Sequence, residues 1–428
     1  MVLVRVLPAF IALCALSAPA WADPATEEDD SSLHVIVGPG ARSLEPMAIP
    51  DTLCFGASTA VCNTVADVLR RDMLLSFFFN VLPPRSYLVD GSTESVDEPK
   101  FNDWTNTGAR YLIKSRIDGP APYKVELRLF NVSSRTLMPV AGQTHRDVRE
   151  KDLRRIVHQF ANGVLQAITG TPGVFDTRIA FSSRVGPGVK AIGIMDMDGF
   201  NRGGLVSNGS INMLPSWGFG GVLYTSFLAG KPDIYFGKKK LSSDQGHYRK
   251  VAVSRDGGSL VASIAYGGQS DLYLLAKDGS VIRNLTNSDA DEVAPSFSPD
   301  GSKVAFVSSA AGGPQVYVMS VGGGGQQRVT FAGDYNYAPD WGPSGKIAFA
   351  AMDGSASDIF TVTEGGGIER LTQDQGANKD PSWSPDGRYI SFISTRAGGS
   401  GVYLMSADGR YQLLVSKGGG LGNTAWER

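Results

Sequence analysis

Short runs in which apolar and polar residues alternate fill the later part of the chain, and longer runs with helical spacing stand only in its first part. From Thr59, TAVCNTVADVLRRDMLLSFFFNVLPP keeps apolar residues on one helical face until Pro83 and Pro84, which predicts a helix across that run. REKDLRRIVHQFANGVLQAITG, from Arg149, predicts a second amphipathic helix. LHVIVGP from Leu33, ARYLIKSRID and KVELRLFNVSS alternate as strands. Together these predict a mixed α+β N-terminal domain over residues 33–170, with TGTPGVFDT from Thr169 as its linker to the C-terminal part of the chain.

Beyond the linker, one pattern recurs. PSWGFGG begins at Pro215, VAVSRDGG at Val251, PSFSPDGS at Pro295, PDWGPSGK at Pro339 and PSWSPDGR at Pro381, and the chain ends on TAWER. The aromatic slot holds Trp217, Val253, Phe297, Trp341, Trp383 and Trp426, spaced by 36, 44, 44, 42 and 43 residues. Each unit continues with further short alternating runs, giving four strands per repeat. That is the signature of a β-propeller blade, whose small sheet buries its faces only against its neighbours. In Ser-Pro-Asp-Gly the Pro presets φ, the Asp bonds back to the backbone and the Gly takes positive φ, as a hairpin requires. The aromatic before it is expected to fill the gap between blades. Residues 177–208 look like a blade without its first strand, which TAWER supplies. The expected all-β unit is a six-bladed β-propeller over 171–428, closed by the strand 424–428 so that no open edge remains.

Composition adds limits. Forty basic against 42 acidic residues give a net charge of -2 over 428 residues, with no footprint for nucleic acid. Residues 1–22, MVLVRVLPAFIALCALSAPAWA, combine an early Arg, a short apolar run and Ala-Trp-Ala, and read as a cleaved secretory signal. No other run approaches membrane-span length, so no direct membrane insertion is expected. Residues 23–32, containing EEDD, read as a flexible acidic segment. Exported Cys54 and Cys62 are expected to pair as a disulfide worth about 2 to 3 kcal/mol. A metal or redox pair is the weaker rival, because the spacing is not C-x-x-C and no His stands nearby.

Motifs of catalysis are missing: no nucleophile elbow, no phosphate loop and no H-E-x-x-H. His34, His145, His158 and His247 are scattered, so neither a metal nor a cofactor is expected. Glycine runs such as Gly322–Gly325 recur at one blade position and read as hairpin turns. Attention then moves to the loops from the last strand of one blade to the first of the next, which gather at one mouth of the channel. They are GSINML, SSDQGHYRK, NSDADEVA, AGDYNYA, DQGANK and KGGGLGN, a mixture of Tyr, Asn, Arg and acids that suits a partner interface.

The secretory signal, ADVLRRDMLLSFFFNVLPP, FNDWTNTGARYLIKSRI, YKVELRLFNV, FDTRIAFSSR and the PSFSPDGSKVAFVS and PSWSPDGRYISF blades, in that order, resemble the TolB family. The resemblance covers nearly the whole mature chain. It implies a non-enzymatic, monomeric periplasmic adaptor of the Tol-Pal system, supporting outer-membrane integrity and constriction at division. It implies a Pal-like peptidoglycan-associated lipoprotein at the mouth, on His247, Tyr248, Arg249, Asp291, Glu292, Tyr335, Asn336, Tyr337, Asn378 and Lys379. It also implies a TolA-like inner-membrane protein on Leu33, His34, Val35, Ile36 and Val37 and the residues before them. The Cys54/Cys62 insertion and the acidic stretch depart from the family pattern. The alternatives are a secreted propeller enzyme and a glycan- or metal-binding propeller.

Overall fold

A computed structural model of the chain describes residues 36–38, 43–90, 94–243, 245–354 and 356–428. The expected signal, the acidic segment and Leu33, His34 and Val35 lie outside the described residues. Among the described residues no helix is long and apolar enough to cross a membrane.

In the first unit a seven-stranded mixed sheet carries two long helices. Its spine is Tyr111–Asp118 antiparallel to Tyr123–Asn131, and Glu45–Ala48 and Leu53–Phe55 run parallel to the former. Helix α1 (Thr59–Leu75) starts where the Ser58 hydroxyl accepts from the Val61 N–H. A short helix, α2 (Phe101–Asn106), buries Trp104, and α3 (Glu150–Thr169) stops at Gly170 with φ of 83°. Cys54 and Cys62 form a disulfide, with Cα atoms 6.0 Å apart, that ties the Leu53–Phe55 strand to the first turn of α1. Reducing it is expected to lower stability by about 2 to 3 kcal/mol, read as a lower melting temperature in dithiothreitol than in buffer. An unchanged melt would show that the clip is energetically idle.

Two expectations need correction. The helix from Thr59 does not run to the prolines. It ends at Leu75, Phe77 takes φ of 51°, and Phe79–Val81 becomes a strand parallel to Glu45–Met47. The continuous apolar run SFFFNV fits helix and strand alike, and pairing with the sheet edge decides it. Second, the described part of the strand from Leu33 does not join the α/β sheet. Ile36–Val37 pairs with Gln412 and Tyr411, so it extends a blade.

Six small antiparallel sheets come next, arranged as blades around a channel. The inner strands of the first five are Asn212–Gly218, His247–Val253, Glu292–Phe297, Asn336–Trp341 and Asn378–Trp383. The sixth takes its inner strand, Leu421–Trp426, from the C-terminal end of the chain and its other three from Arg178–Gly186, Val189–Asp196 and Gly203–Val206. Leu421–Trp426 pairs with Arg178–Gly186, and Glu427 seals the join with both carboxylate oxygens on the Arg178 guanidinium, at 2.7 and 3.0 Å.

Aromatic-slot residues pack from blade to blade. Trp383 and Trp426 are each 1% exposed, and the Trp217 indole N–H donates to the Ala425 carbonyl of the sixth blade at 2.9 Å. A Cβ on Gly342 would come within 2.6 Å of the Trp383 ring, so this glycine forms the notch that seats the indole. The turn after Trp383 works as its residues suggest. The Ser384 hydroxyl donates to the Asp386 carboxylate at 2.6 Å, and the Gly387 N–H bonds the Ser384 carbonyl at 3.0 Å.

One apolar cluster runs from Met47 of the first unit to Trp426. At its centre Phe77 stacks on Tyr411 at 5.8 Å and leans on Tyr389 at 6.0 Å, and Tyr389 stacks on Trp426 at 6.2 Å. The first unit is therefore seated on the fifth and sixth blades.

Candidate functional site

Counting back from the aromatic slot sorts the mouth residues by role. Six places before it stand His247, Asp291 and Tyr335, all exposed, with Tyr335 at 45%. Five places before it stand Asn212, Tyr248, Glu292, Asn336, Asn378 and Leu421, all buried. Alternation along a strand causes the split: one column faces the mouth and the next turns into the blade.

The buried column fastens the loops. The Asn336 amide donates to the Gln315 side chain at 2.8 Å and to the Ala332 carbonyl at 2.9 Å, closing the loop below Tyr335. Asn378 donates to Asp358 at 2.9 Å and accepts from Arg396 at 2.8 Å. Glu292 accepts from the Ser288 and Ser308 hydroxyls at 2.8 and 3.0 Å, and burial pushes its carboxyl pKa up. Tyr248 shares a hydrogen bond with Ser243 at 2.9 Å. Tyr248, Glu292, Asn336 and Asn378, placed by the sequence reading among surface contacts, are thus interior residues that hold the surface in shape. Arg249 is exposed, Lys379 and Tyr337 are half-buried, and Tyr335 meets Tyr337 edge-on at 5.4 Å. Exposed Phe331, at 71%, and Met352, at 42%, widen this sector.

The next column is the one sequence reasoning passed over. Three places before the aromatic slot stand Leu214, Lys250, Ala294, Ala338, Asp380 and Asn423. Every inner strand breaks register here, and all of these residues except Lys250 take φ between 49° and 56°. Such bulges re-aim a side chain. Aligning the repeats on their aromatics exposes the column, but its residue types share nothing that would mark it.

Lys250 lines a narrow channel segment together with Pro215, Pro295, Asp340, Pro381 and Arg428. Asp340 accepts from the Arg428 guanidinium, from the Ser296 hydroxyl at 3.1 Å and from the Trp383 N–H at 2.8 Å. Asp380 accepts from the Asn423 N–H at 3.0 Å. Burial lowers the Lys250 pKa, Asp340 and Asp380 oppose that, and Arg428 adds to it.

A second charged cluster lies away from the mouth, where the first unit meets the sixth blade. Asp72 of α1 meets His158 Nδ1 of α3 at 2.8 Å, and both are buried. Arg154 pairs with the fully buried Asp198 carboxylate of the blade turn, and Arg71 Nε donates to the Asp198 carbonyl at 2.6 Å. Both guanidiniums lie over the Phe200 ring, at 4.3 and 5.1 Å. Burial pushes the Asp72 carboxyl up to about 6, against the pull of His158. Burial would lower His158, but the Asp72 carboxylate outweighs it and holds the imidazole up to about 9. Asp72, His158 and Asp198 bring ligand atoms within 4.8 Å of one another, but Arg154 and Arg71 already supply the positive charge and would repel a cation. The cluster is a joint between units.

The family model described as the TolB amino-terminal domain matches residues 33–138, and that of the TolB beta propeller domain matches residues 165–427. The Tol-Pal system protein TolB of Anaeromyxobacter dehalogenans strain 2CP-1 is 37% identical over 294 residues, 66% of each chain. Its counterpart from strain 2CP-C is 37% identical over 305 residues, 69% of this chain and 68% of the other. The matched segments thus span about two thirds of the length of these curated relatives. The crystal structure of TolB from Acinetobacter baumannii superposes with a TM-score of 0.76 at 23% identity, covering 92% of this chain and 99% of that one, a likeness of fold.

Proposed function

Because this chain belongs to the TolB family, and is by that membership a component of the Tol-Pal system, we propose that it works as a non-enzymatic periplasmic adaptor with two docking sites. The propeller mouth receives a Pal-like lipoprotein, and the segment through Ile36 and Val37 receives a TolA-like inner-membrane protein. The adaptor thereby supports outer-membrane integrity and constriction at division. The observation that carries the mouth assignment is the division of labour between adjacent columns. A buried hydrogen-bonded column holds the loops rigid, while His247, Arg249, Asp291 and Tyr335 stand exposed above it. Preorganised exposed aromatics and Arg are what a binding surface needs.

Capture of the soluble domain of a Pal-like lipoprotein from the same genome tests this reading. Tyr335→Ala is expected to weaken capture about 10-fold or more with an unchanged melt, whereas Asn336→Ala should lower the melt by unfastening its loop. Failure of the unaltered chain to capture the domain would overturn the assignment.

The N-terminal site has its own support. The described strand there holds two residues, Ile36 and Val37, on the outer edge of the fifth blade, and the Gly38 N–H bonds the Arg410 carbonyl at 2.6 Å. A strand added to the outer edge of a blade from elsewhere in the chain can exchange between the blade and a partner, a population shift. Filling the mouth is expected to change protease cleavage within residues 23–37. Identical cleavage with and without the mouth partner would reject the coupling.

A further inference from the structure

The geometry points to the channel mouth as a carboxylate socket, in which Lys250 receives an Asp or Glu side chain that the docking protein inserts between the blades. This inference rests on the mouth being the docking site. It adds the chemical class of the group that enters the channel.

Three observations carry it. First, the charges of the channel are unequally matched. Asp340 already accepts from Arg428, Ser296 and Trp383, and Asp380 from the Asn423 N–H. Lys250 has, among the described residues, neither an ion pair nor a hydrogen-bond acceptor for its ammonium, and feels Asp340 and Asp380 only from a distance. A cation partly stripped of water and without a contact partner gains most from an incoming carboxylate.

Second, the approach along blade two is cationic, while exposed Asp291 puts the opposite charge on the next blade. His247 and Arg249 are exposed on the same inner strand, so blade two leads from the rim to Lys250 along positive or protonatable groups. An acidic loop is steered along that strand, and a basic one is turned away.

Third, shape favours a side chain presented by a protein. The lining sets Pro215, Pro295 and Pro381 among the small residues Ala252, Ser216 and Ala425 around a narrow space. Across the ring stands Asp380, on the blade three places away, and it would repel an anion that strays from the Lys250 side. The socket therefore has a polarity.

The test compares unaltered chain, Lys250→Met, Lys250→Arg and Asp380→Asn for binding the soluble domain of the Pal-like lipoprotein from the same genome. The Lys250 signal is followed by NMR of 13C-methylated lysines and assigned by its loss in Lys250→Met. We expect Lys250→Met to weaken binding about 10- to 100-fold with its melt retained, Lys250→Arg to restore most of it, and Asp380→Asn to tighten it a few-fold. The Lys250 signal should move on adding the lipoprotein domain and stay put in excess acetate. Equal binding by Lys250→Met would overturn the socket while leaving docking at the mouth intact. A signal that moves as much in acetate would reassign the site to free small anions and overturn the protein source. No binding by the unaltered chain would overturn both the docking reading and the socket built on it.

Discussion

Replacing Arg154 with Met is expected to destabilise the protein by about 3 to 5 kcal/mol, the largest loss from any single charged side chain at the joint between units. Asp198 has 0% exposure, and Arg154 supplies the charged partner to one of its carboxylate oxygens, while the other accepts from the Phe200 N–H at 3.1 Å. Removing the guanidinium leaves the buried carboxylate without an ion-pair partner in contact, with Arg71 and His158 acting on it only through space, and it strips one cation from the face of Phe200. Denaturant titration reads the loss directly. The double variant Arg154→Met/Asp198→Asn should recover part of it, because removing both charges abolishes the orphan. A single variant as stable as the parent would show that Asp198 is satisfied in some other way.

The same joint sets a pH dependence with a definite sign. His158 is raised from 6.5 to about 9 in the folded protein, so its contribution is fully present below the unfolded value and is lost as pH rises through about 9. Asp72, held up to about 6 from 3.8, contributes in the same sense: fully present below 3.8, gone above about 6. Both groups therefore make the folded state less stable toward alkaline pH. Thermal melts between pH 6.5 and 9 should fall, and His158→Gln should flatten the slope. A flat profile over that range would mean that His158 is buried neutral.

Cutting residues 424–428 is expected to cost more than any of these substitutions. Trp426 is 1% exposed, stacks on Tyr389 and donates its indole N–H to the Thr177 hydroxyl at 2.8 Å. Loss of a buried Trp alone is worth about 3 to 5 kcal/mol. The cut also removes the Glu427 bonds to Arg178 and the Arg428 contact in the channel, and it bares Ile179 and Ala180 on the edge of the Arg178–Gly186 strand. An unpaired edge next to an emptied aromatic slot should aggregate on warming. Trp426→Ala keeps the backbone ladder, so it separates the packing loss from the pairing loss. A truncated chain with an unchanged melt and no aggregation would refute closure by this strand.

How much of the molecule is legible in its sequence depends on whether a residue's role is repeated. The six-bladed ring is readable because Trp217, Phe297, Trp341 and Trp383 each answer the same packing problem at a nearly constant interval. The end of α1 at Leu75 is not, because Phe77 turns into left-handed geometry to reach Tyr389 and Tyr411, residues more than 300 positions away. At the mouth the right loops are identified, but adjacent letters in them have opposite fates. In HYRK, His247 and Arg249 face out, Tyr248 faces in and Lys250 enters the channel. Only the alternation and the register break together separate them. His158 carries no local mark, because its partner Asp72 reaches it through packing of α1 on α3, and Asp198 reaches neighbouring Arg154 through packing between units.

The continuous apolar cluster from Met47 to Trp426 imposes an order in time. If the chain enters its compartment from its N-terminus, Phe77 arrives long before Tyr389, Tyr411 and Trp426, the rings that cover it. The first unit must then wait with an uncovered aromatic wedge until the last strand is through. Such long-range closure is slow and leaves sticky surface exposed meanwhile. The interval between the emergence of Phe77 and that of Trp426 is therefore when a holding chaperone has most to protect, and a stalled chain lacking only its final strand would be the most aggregation-prone species on the path.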